Sequence, residues 1–273
     1  MARRKADFKA LDRVGALRAE QRAVSDFCHT LTLEEWSAPS GCSGWSIQDV
    51  ISHLGGTYHG FFRPMWMFDM LRSDAGEAAS EPDVSLRRSW APSEVLAEFD
   101  SWRGRFSGLQ RIVHSTPWLP FRLKVPLAGL GSYPIGLLTS AMVFDAHTHL
   151  RHDIAPLLNR TAPPTDPNRM AVTLEWMLAG LEQMCRDAMR WVDHDLTLVL
   201  KGPGGGAWGI SPTGNGYLEV RPRPPANSVT TITAVAEDFP VWSTQRRSWR
   251  DYDVAIDGDP EYGARFLDAM NII

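Results

Sequence analysis

Nowhere does the chain approach the ~18 consecutive apolar residues of a membrane-spanning helix, so no span and no membrane partner are expected. The opening "MARRKADFKAL" is charged, and the apolar run of a secretion signal does not follow it. Cysteine is scarce. Cys28, Cys42 and Cys185 are odd in number, widely spaced and without a CxxC pair. That argues against a disulfide framework or a cysteine zinc site and favours reduced thiols in a cytoplasm. Neither sign of charge dominates: the net charge is −4 over 273 residues, which gives no reason to expect nucleic acid as a partner. Internal repeats and low-complexity tracts are also missing. What the chain does have is tryptophan, eleven of them. Bulky amphipathic rings suit thick cores and pocket walls. The length allows one large domain or two modest ones.

The first half reads as helices. Leu11, Val14, Leu17, Val24, Phe27 and Leu31 mostly recur at steps of three or four, the mark of one buried helical stripe. Thr32 with Glu35 has the spacing of a capping box. After the turn-rich "PSGCSGW", Ser46 caps a helix through "SIQDVISHLGG", whose pattern extends into "TYHGFFRPMWMFDML" with a bend expected near Gly55, Gly56 or Pro64. Residues 73–92 read as an exposed loop, and a third long helix starts at Ser93 after Pro92. Residues 115–134, rich in Pro and Gly, read as irregular. A fourth long helix covers "IGLLTSAMVFDAHTHLRHDIAPLL". Four long helices predict a bundle over 1–158. The proline-rich 159–171 reads as a linker. Beyond it, 172–273 reads as an α+β domain: a helix, strands in "LTLVLKG", "GYLEVRP" and "SVTTITAVA", and a last helix capped by Asp259 with Pro260 at its first position. The fold class is therefore α+β, a helical bundle followed by a small α+β domain.

The segment "FDAHTHLRHDI", residues 144–154, holds three of the eight histidines and two aspartates. On a helix, Asp145, His149 and His152 share one face, with Asp153 at its margin and His147 pointing away. One to two turns earlier that face carries Met142, Ala141 and Leu138. It thus runs from apolar core into a polar cluster, the way a bundle builds an internal site. A third ligand must come from another helix. His53, set among Val50, Ile51 and Leu54, is the best candidate. Two imidazoles and one carboxylate make a catalytic zinc set with an open position, though the same donors suit iron. His152 and Asp153 read as ligands, as partners orienting a ligand, or as solvated groups. Each of these histidines also has a bland reading as a satisfied core or surface residue.

The stretch "LTLEEWSAPSGCSGWSIQDVISHLGG" resembles the opening of the mycothiol-dependent maleylpyruvate isomerase family, one of the DinB-like four-helix bundles. In that family a "W…P…C.GW…DV..HL" pattern brings the first metal histidine, which falls here on His53. The D…H step of "FDAHTHLRHD" matches the second and third ligands, on Asp145 and His149. The ending "AIDGDPEYGARFLDAMNI" is similar to the family's sterol-carrier-like module. The resemblance implies Zn2+ as cofactor and mycothiol as co-substrate. The family's carboxylate ligand is typically Glu. Asp145 is one methylene shorter, so it must stand on a closer helix or leave the ion displaced.

The expected activity is thiol activation: a thiolate attacks an electrophilic small molecule, in S-transfer or in cis-trans isomerisation. An anionic substrate would need a cation. Arg151 and Arg63 lie in the bundle, Arg221 and Arg223 on a strand of the second domain. The resemblance points to Arg221 as a catalytic arginine, alongside His152 and Asp153. Trp45, with Arg151, is expected to wall the thiol or substrate pocket. Two other classes compete. A lipid-binding module without catalysis would follow from the tryptophans and the sterol-carrier likeness. A metal-dependent hydrolase would hold water at the open position.

Overall fold

A computed structural model describes residues 11–66, 77–116, 118–127, 129–214 and 216–272. The chain divides into two compact units, residues 13–164 and residues 165–273 with the amino-terminal twelve. The break falls inside the expected linker.

The first unit is a helical bundle. Its helices are α1 (Arg13–Cys28), α2 (Leu33–Ser37), α3 (Ile47–Gly60), α4 (Glu77–Ser85), α5 (Pro92–Ser115), α6 (Leu119–Arg122) and α7 (Leu137–Thr148). The four long ones, α1, α3, α5 and α7, form its body, as the sequence predicts. The core is built from Leu17 and Val24 of α1, Ile47, Val50, Ile51 and Leu54 of α3, Phe99 and Phe106 of α5, and Val143 of α7, all fully buried. Tyr58 stacks on Phe106 with ring centroids 5.1 Å apart.

The caps stand where the sequence puts them. Thr32 with Glu35, and Ser46 with Asp49, both form complete capping boxes. Helix α5 differs: it begins at Pro92 with Ala91 as N-cap, so Ser93, its expected start, lies inside the helix, and Glu94 reaches back to the Ala91 N–H. Gly55 and Gly56, where a bend was expected, do not interrupt α3. The helix is continuous from Ile47 to Gly60, and a Cβ on Gly55 would lie 3.2 Å from the Phe99 Cα. Gly55 thus serves close helix packing. Pro64 lies beyond the end of α3, and the expected continuation into "MWMFDML" falls largely outside the described residues. Two other readings are corrected. Residues 77–85 of the supposed loop are helical, held in part by Glu81 and Asp83, which bind side chains of the bundle. The supposedly irregular 115–134 contains α6 and a hairpin of β1 (Lys124–Leu127) and β2 (Gly131–Pro134).

After α7 the chain does not continue as an α-helix. His149–Ile154 form a π-helical turn, with the Ala155 N–H donating to the Leu150 carbonyl at 3.1 Å.

The second unit opens with α8 (Pro167–Leu181), whose N-cap Asp166 accepts from the Asn168 and Arg169 N–H groups. Cap and Pro167 were a helix start hidden inside a proline-rich stretch. The strands are β3 (Leu196–Lys201), β4 (Gly206–Pro212), β5 (Leu218–Arg221), β6 (Thr230–Val235) and β7 (Ala255–Gly258), in the order β5-β4-β3-β6-β7. Only β3 and β6 run parallel; the other pairings are antiparallel. Helix α9 (Phe239–Ser243) and α10 (Pro260–Asp268) complete the unit, α10 capped by Asp259 as expected. The chain is α+β throughout.

Candidate metal centre

Three side chains from three elements converge inside the bundle. His53 comes from the middle of α3, Asp145 from the last turns of α7, and His149 from the start of the π turn. One donor atom of each lies within 4.8 Å of the others. The His53 Nε2 is 3.3 Å from one Asp145 oxygen, and the His149 Nε2 is 3.2 Å from the other. The two rings stand edge to face, centroids 5.5 Å apart. The face is not equally open: a fifth of the Asp145 side chain is exposed, against 4% for His149. Access from solvent is on the Asp145 side.

The electrostatics follow from burial and pairing. Burial alone would raise the Asp145 pKa, but His53 and His149 outweigh it and hold the carboxyl well below its ordinary range. Burial would likewise depress His149, yet hydrogen bonds with Asp145, Asp153 and Cys42 push it well above its ordinary value.

The donor set fits a divalent cation. Two donors on one tetrahedral zinc at ~2.0–2.1 Å each stand about 3.3 Å apart. The His53–Asp145 and His149–Asp145 separations have that spacing. The other contact of the same ring does not. His149 Nδ1 lies 2.7 Å from Asp153 Oδ2, a hydrogen-bond distance. An ionised carboxylate only accepts, so Nδ1 donates to Asp153, and Nε2 is the nitrogen that faces His53 and Asp145.

The remaining sequence candidates are placed as follows. Asp153, expected among the catalytic groups, is buried behind His149. His152 is outside the converging set. Its ring sits near His147, centroids 6.2 Å apart, because the wide π turn rotates it off the α-helical face that the spacing assumed. Arg151, expected in the pocket, is instead buried, with Nη1 donating to Glu20 Oε2 at 2.8 Å. Glu20 also binds His147 Nδ1 at 2.9 Å, so His147 does point away from the centre. Trp45 does flank the site, its ring 5.5 Å from that of His53 and its indole N–H donating to Glu81. Arg63 pairs at the surface with Asp83, and His59 binds Glu98. Arg221 lies on β5 of the second unit, half-exposed and paired with Glu219.

Two residues beside the centre, Cys42 and Gly41, and one buried charge away from it, Glu20, were missed. Cys42, dismissed as an isolated thiol, has its Sγ 3.5 Å from His149 Nδ1. Cys42, His149 and Asp153 also form a second close group of donors. Glu20 sits in the apolar stripe of α1 between Arg18 and Arg22, and these sequence neighbours give no sign of its pairing with His147 and Arg151. Gly41 touches Asp153, and its only trace in the sequence is the crowding of small residues in "PSGCSG".

These features define a class: a helical bundle with a two-histidine, one-carboxylate centre, joined to a small α+β unit. Residues 17–130 match the family model described as the mycothiol maleylpyruvate isomerase N-terminal domain, so this part of the chain is similar to that domain. The matched segment contains His53 but ends before Asp145 and His149. Among solved structures, the mycothiol-dependent maleylpyruvate isomerase is similar over 90% of this chain and 92% of its own, with 14% identity and a TM-score of 0.56. A histidine-to-alanine mutant of a mycothiol-dependent maleylpyruvate isomerase matches over the same shares, also at 14% identity, with a TM-score of 0.54. At that identity the likeness is one of fold. No curated protein matches in sequence.

Proposed function

We propose that this protein is a metal-dependent enzyme that activates a low-molecular-weight thiol, mycothiol by the family that its residues 17–130 match, for attack on an electrophilic small molecule. Cis-trans isomerisation is the family's reaction, and S-transfer is the variant that the same activated thiol supports. The observation that carries this reading is the convergence of His53, Asp145 and His149 at the mutual spacing of metal donors. Zinc is the ion these donors suit best when one position stays open for a ligand.

When bound, a divalent cation would hold the thiol as thiolate at neutral pH, where a free thiol of pKa ~8.5 is mostly protonated. His53, Asp145 and His149 would hold that cation. Asp153 keeps the His149 proton on Nδ1, so the ring presents Nε2. Trp45, fixed by Glu81, closes one side of His53 and limits water there. The open Asp145 side admits thiol and electrophile. Cys28 and Cys185 do not supply the nucleophile: both are buried, and burial pushes their pKa up, that of Cys185 to about 11.

Elemental analysis with a turnover assay tests this. The purified protein should carry about one equivalent of divalent metal, His149→Ala should carry none, and mycothiol-dependent conversion of maleylpyruvate or another activated alkene should stop on chelation. Full turnover after complete removal of metal would overturn the reading.

A further inference from the structure

The two imidazoles of the centre are held unequally. Among the described residues, His53 Nδ1 is buried with no hydrogen-bond partner. His149 Nδ1 is bound by Asp153, and Asp153 is itself gripped from outside the helix. The Gly41 N–H donates to the Asp153 carbonyl at 2.8 Å. A Cβ on Gly41 would lie 2.6 Å from Asp153 Oδ1 and 2.9 Å from its Cα. Gly41 is not in the left-handed region, so its backbone would tolerate other residues. Space against Asp153 excludes them.

The loop that carries Gly41 is stiff. The Ser40 N–H and Oγ both donate to the Trp45 carbonyl at 2.9 Å, the Cys42 N–H donates to Ser40 Oγ at 3.1 Å, and Pro39 bridges Ser46. Ser46 then caps α3, the helix of His53. One rigid loop therefore abuts the π turn at one end and starts the His53 helix at the other. The π turn is the matching half of the device. Its wider i→i+5 winding sets Asp153 in line behind His149.

Resting on the metal-centre reading above, we infer that Gly41 and Asp153 form a clamp that fixes the orientation and tautomer of His149 and so sets the affinity of the centre for its ion. Both are positioning residues, since neither belongs to the His53, Asp145 and His149 set.

The test is Zn2+ titration of the metal-free, full-length protein against a chromophoric chelator, with Co2+ absorption spectra in parallel. The variants are Asp153→Ala, Asp153→Asn, Gly41→Ala and His149→Ala, each checked for native circular dichroism. Removing an outer partner of a ligating histidine costs about 10–100-fold in affinity. Asp153→Ala and Gly41→Ala should fall in that range, with Asp153→Asn, which keeps an acceptor without the charge, less affected. His149→Ala should not bind. Gly41→Ala is the decisive variant, because it leaves every donor atom in place. Wild-type affinity in both Gly41→Ala and Asp153→Ala would overturn the clamp. So would a thiolate-to-cobalt charge-transfer band, which would place the ion on Cys42 and make Asp153 a ligand. If the wild type binds no ion, the metal reading itself fails. The clamp then stands or falls on nitrogen-15 spectra of His149: a fixed Nδ1–H tautomer lost in Asp153→Ala sustains it, and identical spectra in both proteins overturn it.

Discussion

At the scale of single residues, the most consequential buried charge outside the centre is Glu20. It is fully buried, and it accepts from Arg151 at 2.8 Å and pairs with His147 at 2.9 Å. Burial raises its pKa, but His147 and Arg151 outweigh burial and hold it below the ordinary 4.5. A carboxylate whose folded pKa is depressed adds stability that is full above its unfolded value and is lost as pH falls from there toward the folded value. Glu20→Gln leaves the Arg151 charge buried without its counterion, which costs about 3–5 kcal/mol at neutral pH. Urea midpoints of wild type and variant should differ widely at pH 7 and converge as pH drops below 4.5. A constant gap across that range would remove Glu20 from the account. None of this was legible beforehand: His147 was correctly turned away from the site by helical spacing, but spacing does not show what a side chain turns toward.

At the scale of elements, local chemistry was legible wherever a residue acts on its own helix. Thr32, Ser46 and Asp259 cap the helices they were expected to cap, because a cap needs only a side chain and the next few N–H groups. Asp145, His149 and His53 were found by the 3.6-residue period and one resemblance. The period failed three residues after His149, within the π turn, since nothing in "HLRHDI" announces a change of winding, and so His152 was expected beside the donors. Strand β4 escaped because glycine and proline in "GGAWGISP" read as turn, β7 because its four residues "AIDG" are too short for a period, and the parallel pairing of β3 and β6 is a long-range fact. Gly55 shows the same limit. In an exposed helix, Gly→Ala gains ~1 kcal/mol. Here the new Cβ would lie 3.2 Å from the Phe99 Cα and 3.3 Å from its nitrogen, backbone atoms that cannot swing aside. Gly55→Ala should therefore lower the stability of the protein, measured by thermal unfolding. A gain would mean that α3 and α5 separate easily.

At the scale of the whole molecule, the centre ties together what the chain keeps apart. His53 stands on α3, Asp145 and His149 on α7 and the turn after it, and the unfolded chain has no such site. Binding to the native state alone stabilises by RT ln(1 + [L]/Kd), ~2.7 kcal/mol when free ion is at 100 Kd. The gain belongs to the unit of residues 13–164, which contains every donor. Chelation should therefore lower the unfolding temperature of the wild type and leave His149→Ala unmoved. Amide exchange locates the effect. Removing a bound ion should speed exchange in α3 and in α7 near Asp145, the two helices that such an ion would join. Amides of the β5-β4-β3-β6-β7 sheet should keep their rates, since no donor comes from that unit. An equal loss of protection in the sheet would mean that the ion stabilises the two units as one, and that the cooperative folding unit is the whole chain.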